Sequence, residues 1–196
     1  MDTFLTISSV SQGIYREKGS KFMAFAYPVR SEEEVQEKLV FLRKKFFDAR
    51  HHCYAYRLGS NGEQYRANDD GEPANSAGKP ILGQLISFGV SNVLVVVVRY
   101  FGGILLGVNG LVHAYKNAAA DALSNNKIVT ETVTETYKIT FNYADINQVM
   151  KVVKNMNLDC FEQNFDVVCE MNIRVKKSQT EQVKERLCKL AKMLAL

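Results

Sequence analysis

Six apolar residues in a row, Val93-Leu-Val-Val-Val-Val98, constrain this chain more than any other feature. A half-buried strand alternates apolar and polar side chains, and this run does not. Its shortness and β-branched character predict a strand, Val93 to Arg99, buried on both faces at the centre of a sheet. Ser20 to Val29 is apolar on both parities, with Phe22, Ala24 and Ala26 against Met23, Phe25 and Tyr27, and predicts a second doubly covered strand. No apolar stretch is longer than this run, which is too short to span a bilayer. Met1 to Val10 carries Asp2 and lacks a basic n-region and an apolar h-region, so neither a membrane span nor a signal peptide is expected.

Helices are signalled by caps and spacing. Ser31 with Glu34 makes a capping box, Val35, Leu39, Leu42 and Phe46 share one face, and Glu32 to Glu34 and Arg43 to Lys45 suit the two ends of the helix dipole. Pro80 opens a short helix, Ile81 to Phe88, where its missing N–H costs nothing. A glycine-rich segment, Gly102 to Gly110, leads into a helix with an inner face of Leu111, Tyr115, Ala118 and Ala122. Between the first two helices, His52 to Leu58 and Gln64 to Asn68 flank a Gly59-Ser-Asn-Gly62 turn and predict a hairpin, followed by a polar loop, Asp69 to Lys79.

After Asn125-Asn126 the pattern changes. Tyr137, Ile139, Phe141 and Tyr143 alternate with polar residues as a half-buried strand does. A helix from about Asp145 follows, carrying Ile146, Val149, Met150 and Val153. Strands near Asp159 to Phe165 and Val167 to Val175 come next, and Ser178 with Glu181 caps a last helix bearing Val183, Leu187, Leu190 and Leu194. This β-α-β-β-α order is that of a ferredoxin-like unit lacking its final strand. Val129 to Thr136 reads as either linker or strand. The expected architecture is α+β in two domains, residues 1–130 and 131–196, consistent with a length of 196 residues.

At 46% apolar and 23% charged the chain is an ordinary folding sequence, and its net charge of +4 is too small to announce nucleic acid. Cys53, Cys160, Cys169 and Cys188 contain no C-x-x-C pair, so zinc and thioredoxin spacings are absent and reduced thiols in a cytoplasmic protein are expected.

The candidate sites each fail a specific requirement or remain open. Gly71-x6-Gly78-Lys79-Pro80 lacks the spacing and the Ser or Thr of an ATP phosphate loop. Gly102-Gly103-x3-Gly107 stands between strand and helix, where free N–H groups hold anions, or where glycines simply allow a tight turn. His51 and His52 point to opposite faces of a strand and cannot both ligate one metal; Asp69-Asp70-Gly71-Glu72 lacks EF-hand spacing. His51 and Cys53 share a face, but no residue is placed to orient the histidine for nucleophilic catalysis. His52, Tyr54 and Tyr56 form an aromatic row that either stacks on unpaired bases or lies under a neighbouring element.

The long ordered stretches Arg66-Ala-Asn-Asp-Asp-Gly71-Glu-Pro-Ala-Asn-Ser-Ala-Gly78-Lys-Pro-Ile81-Leu-Gly and Val96-Val-Val-Arg99-Tyr-Phe-Gly-Gly103-Ile-Leu-Leu-Gly107 strongly resemble the YigZ/IMPACT family. The resemblance is specific over about residues 10–125, and the remainder looks like the small C-terminal domain of bacterial-type members, without the eukaryotic N-terminal extension. It implies an N-terminal domain of the ribosomal protein S5 domain 2-like superfamily and a ferredoxin-like C-terminal domain, a pair similar to domains IV and V of elongation factor G. It also implies a link to translation, since eukaryotic IMPACT proteins regulate it through protein partners. Some family members carry a proline dipeptidase label; such a dinuclear site needs about five converging Asp, Glu and His ligands, and the chain offers no such set.

Two functions of different class follow. The first is a non-enzymatic, translation-linked factor binding RNA, the ribosome or a translation-associated protein through Arg66, Lys79, Arg99, Gly102, Gly103 and the row His52, Tyr54, Tyr56. The second is a small-molecule hydrolase built on the polar pocket Asn68, Asp69, Asp70, Glu72, Asn75 and Ser76 beside Arg99. No cofactor, metal or membrane partner is expected, and Arg99 at the end of its strand either contacts the RNA or protein partner or pairs with Asp69 or Asp70.

Overall fold

The Val93–Val98 run lies in the middle strand of a five-stranded antiparallel sheet in the computed structural model of the chain, which describes residues 2–196. In chain order the elements are β1 (Thr3–Ile7), β2 (Ser11–Glu17), β3 (Ser20–Pro28), α1 (Glu32–Lys45), β4 (His51–Leu58), β5 (Gln64–Asn68), α2 (Gly78–Ser87), β6 (Val93–Tyr100), α3 (Gly107–Ser124), β7 (Ile128–Thr132), β8 (Thr134–Asn142), α4 (Ile146–Asn155), β9 (Asp159–Phe165), β10 (Val168–Lys176), α5 (Thr180–Leu187) and β11 (Lys192–Ala195). The chain divides into two compact units, Phe4–Glu131, and Thr132–Leu196 with the first residues of the chain. It is a mixed α and β protein built on antiparallel sheets.

In the first unit the sheet order is β2-β3-β6-β4-β5. Both faces are covered, as the lack of alternation in β3 and β6 requires. On one side Val93, Val95, Val97, Phe22, Cys53 and Ala55 meet α2 and α3 in one core. On the other, Leu94, Val96, Val98, Phe25, Tyr54 and Tyr56 meet Val35, Leu39 and Leu42 of α1 in a second. Ser31 caps α1 through its side chain, with the acidic first turn and basic last turn in place. The strand β2 carries no apolar signal because small residues let it lie against α3: Ser11 Oγ donates to the Ala122 carbonyl at 2.6 Å, and a Cβ on Gly13 would stand 2.3 Å from the Ala122 nitrogen. That edge strand was beyond sequence reading, as was β1, which pairs with β7 in a separate two-stranded ribbon.

One correction concerns an element end in this unit. The helix α2 begins at Gly78 rather than Ile81, with Pro80 two residues inside it. The extra turn forms because the Asp69 carboxylate accepts the backbone N–H groups of Ala77 and Gly78 at 3.0 and 2.8 Å, capping the helix from a distant loop. The stretch 129–136, where the two units join, is strand rather than linker, holding the end of β7 and the start of β8.

The second unit runs β8-α4-β9-β10-α5-β11 with sheet order β11-β8-β10-β9. Its core joins Ile139, Phe141, Met171, Ile173 and Val175 to Val149, Val153, Val183 and Leu187. The final strand, expected to be missing, is present: α5 stops at Leu187, and Lys192–Ala195 pairs with Thr140–Tyr137 of β8. Leu190 and Leu194 fit a helical face by spacing, but the otherwise unpaired edge of β8 captures this segment and satisfies its backbone groups. Ser178 does not cap α5; it lies in a 3-10 turn, Lys177–Gln179, and the helix starts after it.

Candidate functional site

The antiparallel register of β4 and β6 sets His51 directly opposite Arg99 at the end of the sheet, on the α2 and α3 face. Arg99 does not meet Asp69 or Asp70. Its Nη1 donates to Glu72 Oε1 at 2.6 Å, and the Tyr115 hydroxyl donates to the same oxygen at 2.8 Å. Both side chains of the ion pair are nearly sealed, 8% exposed for Arg99 and 4% for Glu72. The guanidinium carbon stands over two aromatic rings, 5.4 Å from the Phe22 ring centre and 5.8 Å from that of Phe101. Cys53 lies beneath, with Sγ 3.0 Å from the Asp69 carbonyl oxygen and 3.3 Å from the Tyr115 hydroxyl. Burial pushes both the Cys53 thiol and the Tyr115 hydroxyl far up, so both keep their protons and Cys53 cannot serve as a nucleophile.

The polar loop 68–76 is braced by its own hydrogen bonds, with Pro73, Ala74 and Asn75 exposed and Ser76 buried. Asn68 Oδ1 accepts the Asp70 N–H at 2.8 Å, and the Asp69 carboxylate takes the N–H groups of Asn75, Ala77 and Gly78. Asp70 accepts from the His52 N–H at 2.6 Å and from Arg43 Nη2 at 2.7 Å, while Ser76 is fully buried and donates to the Pro73 carbonyl. Asp70 and Asn75 adopt left-handed backbone conformations, with φ of 43° and 63°, which their short polar side chains tolerate. Most of the expected polar pocket residues, Asn68, Asp69, Asp70 and Ser76, are thus engaged in bracing the loop, Glu72 is engaged by Arg99 and Tyr115, and the Asn75 side chain stays exposed. Among the described residues, no three His, Cys, Asp or Glu side chains converge as metal ligands.

The aromatic row also has a structural place. His52, Tyr54 and Tyr56 share one face of β4, as the alternation requires, and all three are buried on the α1 side of the sheet. Tyr56 donates to Glu32 Oε1 of α1 at 2.6 Å; burial, then that carboxylate, pushes its hydroxyl up to about 12. Burial and the Arg43 charge lower the His52 pKa below its ordinary value. No base can stack on this row. The basic residues do not form one patch either: Arg66 stands opposite Tyr56 and so shares the α1 face, whereas Arg99 belongs to the other. Arg66 and Lys79 are exposed.

The glycines after β6 shape a projecting loop. A Cβ on Gly102 would stand 1.9 Å from the Gly19 carbonyl carbon, so Gly102 serves backbone packing rather than anion approach; its N–H donates to Ser20 Oγ at 3.1 Å. Gly103 has open space around it and a φ of 87°, which turns the chain outward. The result is an exposed apolar ridge: Phe101, Ile104, Leu105 and Val108 are 56%, 55%, 83% and 52% exposed. Beside it lies a cleft of about 620 Å³ lined by Ala49, Arg50, His51, Arg99, Phe101 and Leu105 among others. In the sequence the glycines dominate this segment, and the signal for the ridge is the Ile104-Leu-Leu106 run between them.

The family model for the Impact N-terminal domain matches residues 18–123. The chain is 27% identical over 190 residues to IMPACT family member YvyE of Bacillus subtilis, covering 97% of this chain and 88% of that one. It is 34% identical over 151 residues to IMPACT family member YigZ of Escherichia coli, covering 76% and 74%. A crystal structure of a hypothetical protein, 27% identical, covers 100% of this chain and 98% of its own with a TM-score of 0.76.

Proposed function

Because the chain belongs to the IMPACT family, we propose that it is a non-enzymatic, translation-linked regulatory factor that works in the cytoplasm by docking a translation-associated protein or a protein face of the ribosome. The observation that carries this reading is the exposed ridge Phe101, Ile104, Leu105 and Val108. Four large apolar side chains within eight residues, held out by glycines, are what a protein contact surface needs and what a phosphate backbone does not. Further support comes from the fate of the rival sites, since the aromatic row is covered and the polar loop is internally satisfied. We read the five-stranded unit as S5 domain 2-like and the four-stranded unit as ferredoxin-like, a reading supported by its β-α-β-β-α-β order.

Co-sedimentation of the purified chain with ribosomes tests this, comparing wild type with Ile104→Asp and with the double variant Arg66→Ala, Lys79→Ala. Loss of co-sedimentation in Ile104→Asp alone is the expected result. Loss in the basic variant with Ile104→Asp unaffected would assign the contact to RNA, and no co-sedimentation of wild type would remove the ribosome as partner.

A further inference from the structure

We propose that the cleft between the start of β4, the end of β6 and the ridge loop is a binding site for a carboxylate carried on a small apolar or aromatic group, with Arg99 as its anchor. A guanidinium has five N–H donors and no acceptor. Nη1 of Arg99 is engaged by Glu72, whereas Nε is buried without a hydrogen-bond partner among the described residues. A buried charged donor left unpaired is uncommon in folded proteins and calls for an explanation. Nε and Nη2 together form the side-on fork that chelates the two oxygens of a carboxylate, so the donors that Glu72 leaves free are the bidentate ones.

The surroundings match that ligand. Phe22 and Phe101 both lie against the guanidinium and Glu72 ties down its Nη1, so the fork is oriented before anything binds. The cleft, at about 620 Å³, is of a size that holds a small organic molecule. Phe101 and Leu105 give it apolar walls, and Arg50 adds a cation to the lining. Asp48, the carboxylate lining the cleft, already accepts the Tyr100 hydroxyl at 2.8 Å. His51 has its Nδ1 occupied by the Asp70 carbonyl at 2.8 Å, which fixes its ring at the cleft wall. Glu72 cancels the Arg99 charge at the floor, so a dianion would meet uncompensated repulsion, while a monoanion whose charge is shared by two oxygens suits the fork together with Arg50.

The site shares Phe101 and Leu105 with the ridge, but its argument does not rest on the docking role and its test uses no ribosome. Backbone amide spectra of the 15N-labelled full chain would be recorded during titration with 3-phenylpropionate, 3-phenylpropanamide, inorganic phosphate, and the tripeptide Gly-Gly-Leu with a free or an amidated C-terminus. The acid should give saturable shifts centred on residues 49–51 and 99–105, with the amide about ten- to a hundredfold weaker, the ratio expected for a charge-assisted hydrogen bond. Stronger binding of the free tripeptide than of the acid would make a chain terminus the source of the carboxylate; the reverse would make it a free acid. Arg99→Lys keeps the charge but loses the fork and should cut the preference for acid over amide to a few-fold or less. Should that variant not fold, Leu105→Glu, at a position 83% exposed, places an anion at the cleft and should weaken the acid by a similar factor. Equal binding of acid and amide, phosphate binding as tightly as the acid, no saturation by any probe, or unchanged acid binding in Leu105→Glu would each overturn the proposal.

Discussion

Replacing Glu72 by Gln removes one charge from the sealed pair while keeping the shape of the side chain. Arg99 cannot release its proton, so the variant must bury a guanidinium with only 8% of its side chain in contact with solvent and no counter-charge at 2.6 Å. Breaking a buried pair on one side costs about 3–5 kcal/mol. The amide oxygen still accepts from Arg99 or Tyr115, which sets the expected loss for Glu72→Gln near the lower end, about 3 kcal/mol. Arg99→Met should cost a similar amount at neutral pH. The double variant should recover most of it, because the neighbouring Phe22 and Phe101 rings accept an apolar side chain of that length. Arg30→Gln provides the control in the same unit: its bridge to Glu131 spans 3.1 Å with side chains 71% and 33% exposed, and its loss should cost about 0–1 kcal/mol. Urea unfolding followed by far-UV circular dichroism, with equal slopes across the set, measures all four. The reasoning fails if Glu72→Gln costs no more than the Arg30 control, or if the double variant is as unstable as the sum of the singles.

Tyr54→Ala should lower unfolding stability by about 3–5 kcal/mol, as truncation of a buried aromatic does, with no direct effect on RNA affinity; a folded variant of full stability would contradict its place under α1. Gly102→Ala should destabilise strongly or prevent folding, because the atoms its Cβ meets are the backbone of Gly19 and Ser20 rather than a side chain that can move aside. Burial, with Arg43, lowers the His52 pKa below 6.5 in the folded state, so the unfolded chain binds the proton first. The contribution of His52 to stability is therefore complete above about pH 6.5 and is lost as the pH falls below it, a dependence that His52→Phe should remove from a series of unfolding curves. In the native protein a thiol reagent should modify Cys188, which is exposed, and leave Cys53 and Cys169 untouched until denaturant is added; rapid native labelling of Cys53 would refute its sealed environment.

Within the candidate site, alternation along β4 was enough to separate His52, Tyr54 and Tyr56 from His51 and Cys53, and the structure keeps that separation. What it could not say is which element covers each face. Open stacking surface and buried wall look alike in one strand's pattern, and the choice rests on α1 packing over β4. Arg99 shows the same limit. Its position at a strand end was legible, but Glu72 is its partner and not Asp69 or Asp70, because Asp69 turns toward the start of α2 and Asp70 toward Arg43 and the His52 N–H. The ridge was overlooked for a different reason: apolar residues beside glycines read equally well as a tight turn, and only their exposure gives them meaning.

Elements whose information is local were legible along the chain. The unbroken apolar run placed β6 at the centre, the Ser31 cap and the spacing of Val35, Leu39 and Leu42 placed α1, and the alternation from Tyr137 placed β8. Those signals lie within one turn or one pleat, where side-chain direction follows from backbone geometry. Tertiary structure decided what depends on distant partners. The strand β2 exists because Ser11 and Gly13 let it lie against Ala122, more than a hundred residues away, and β11 exists because β8 had an edge to offer. The Arg99, Glu72 and Tyr115 cluster belongs to the same class, since its three members come from a strand, a loop and a helix that carry no mark of one another. A periodic pattern encodes which side of an element is apolar; which groups meet there is set only when the chain closes on itself.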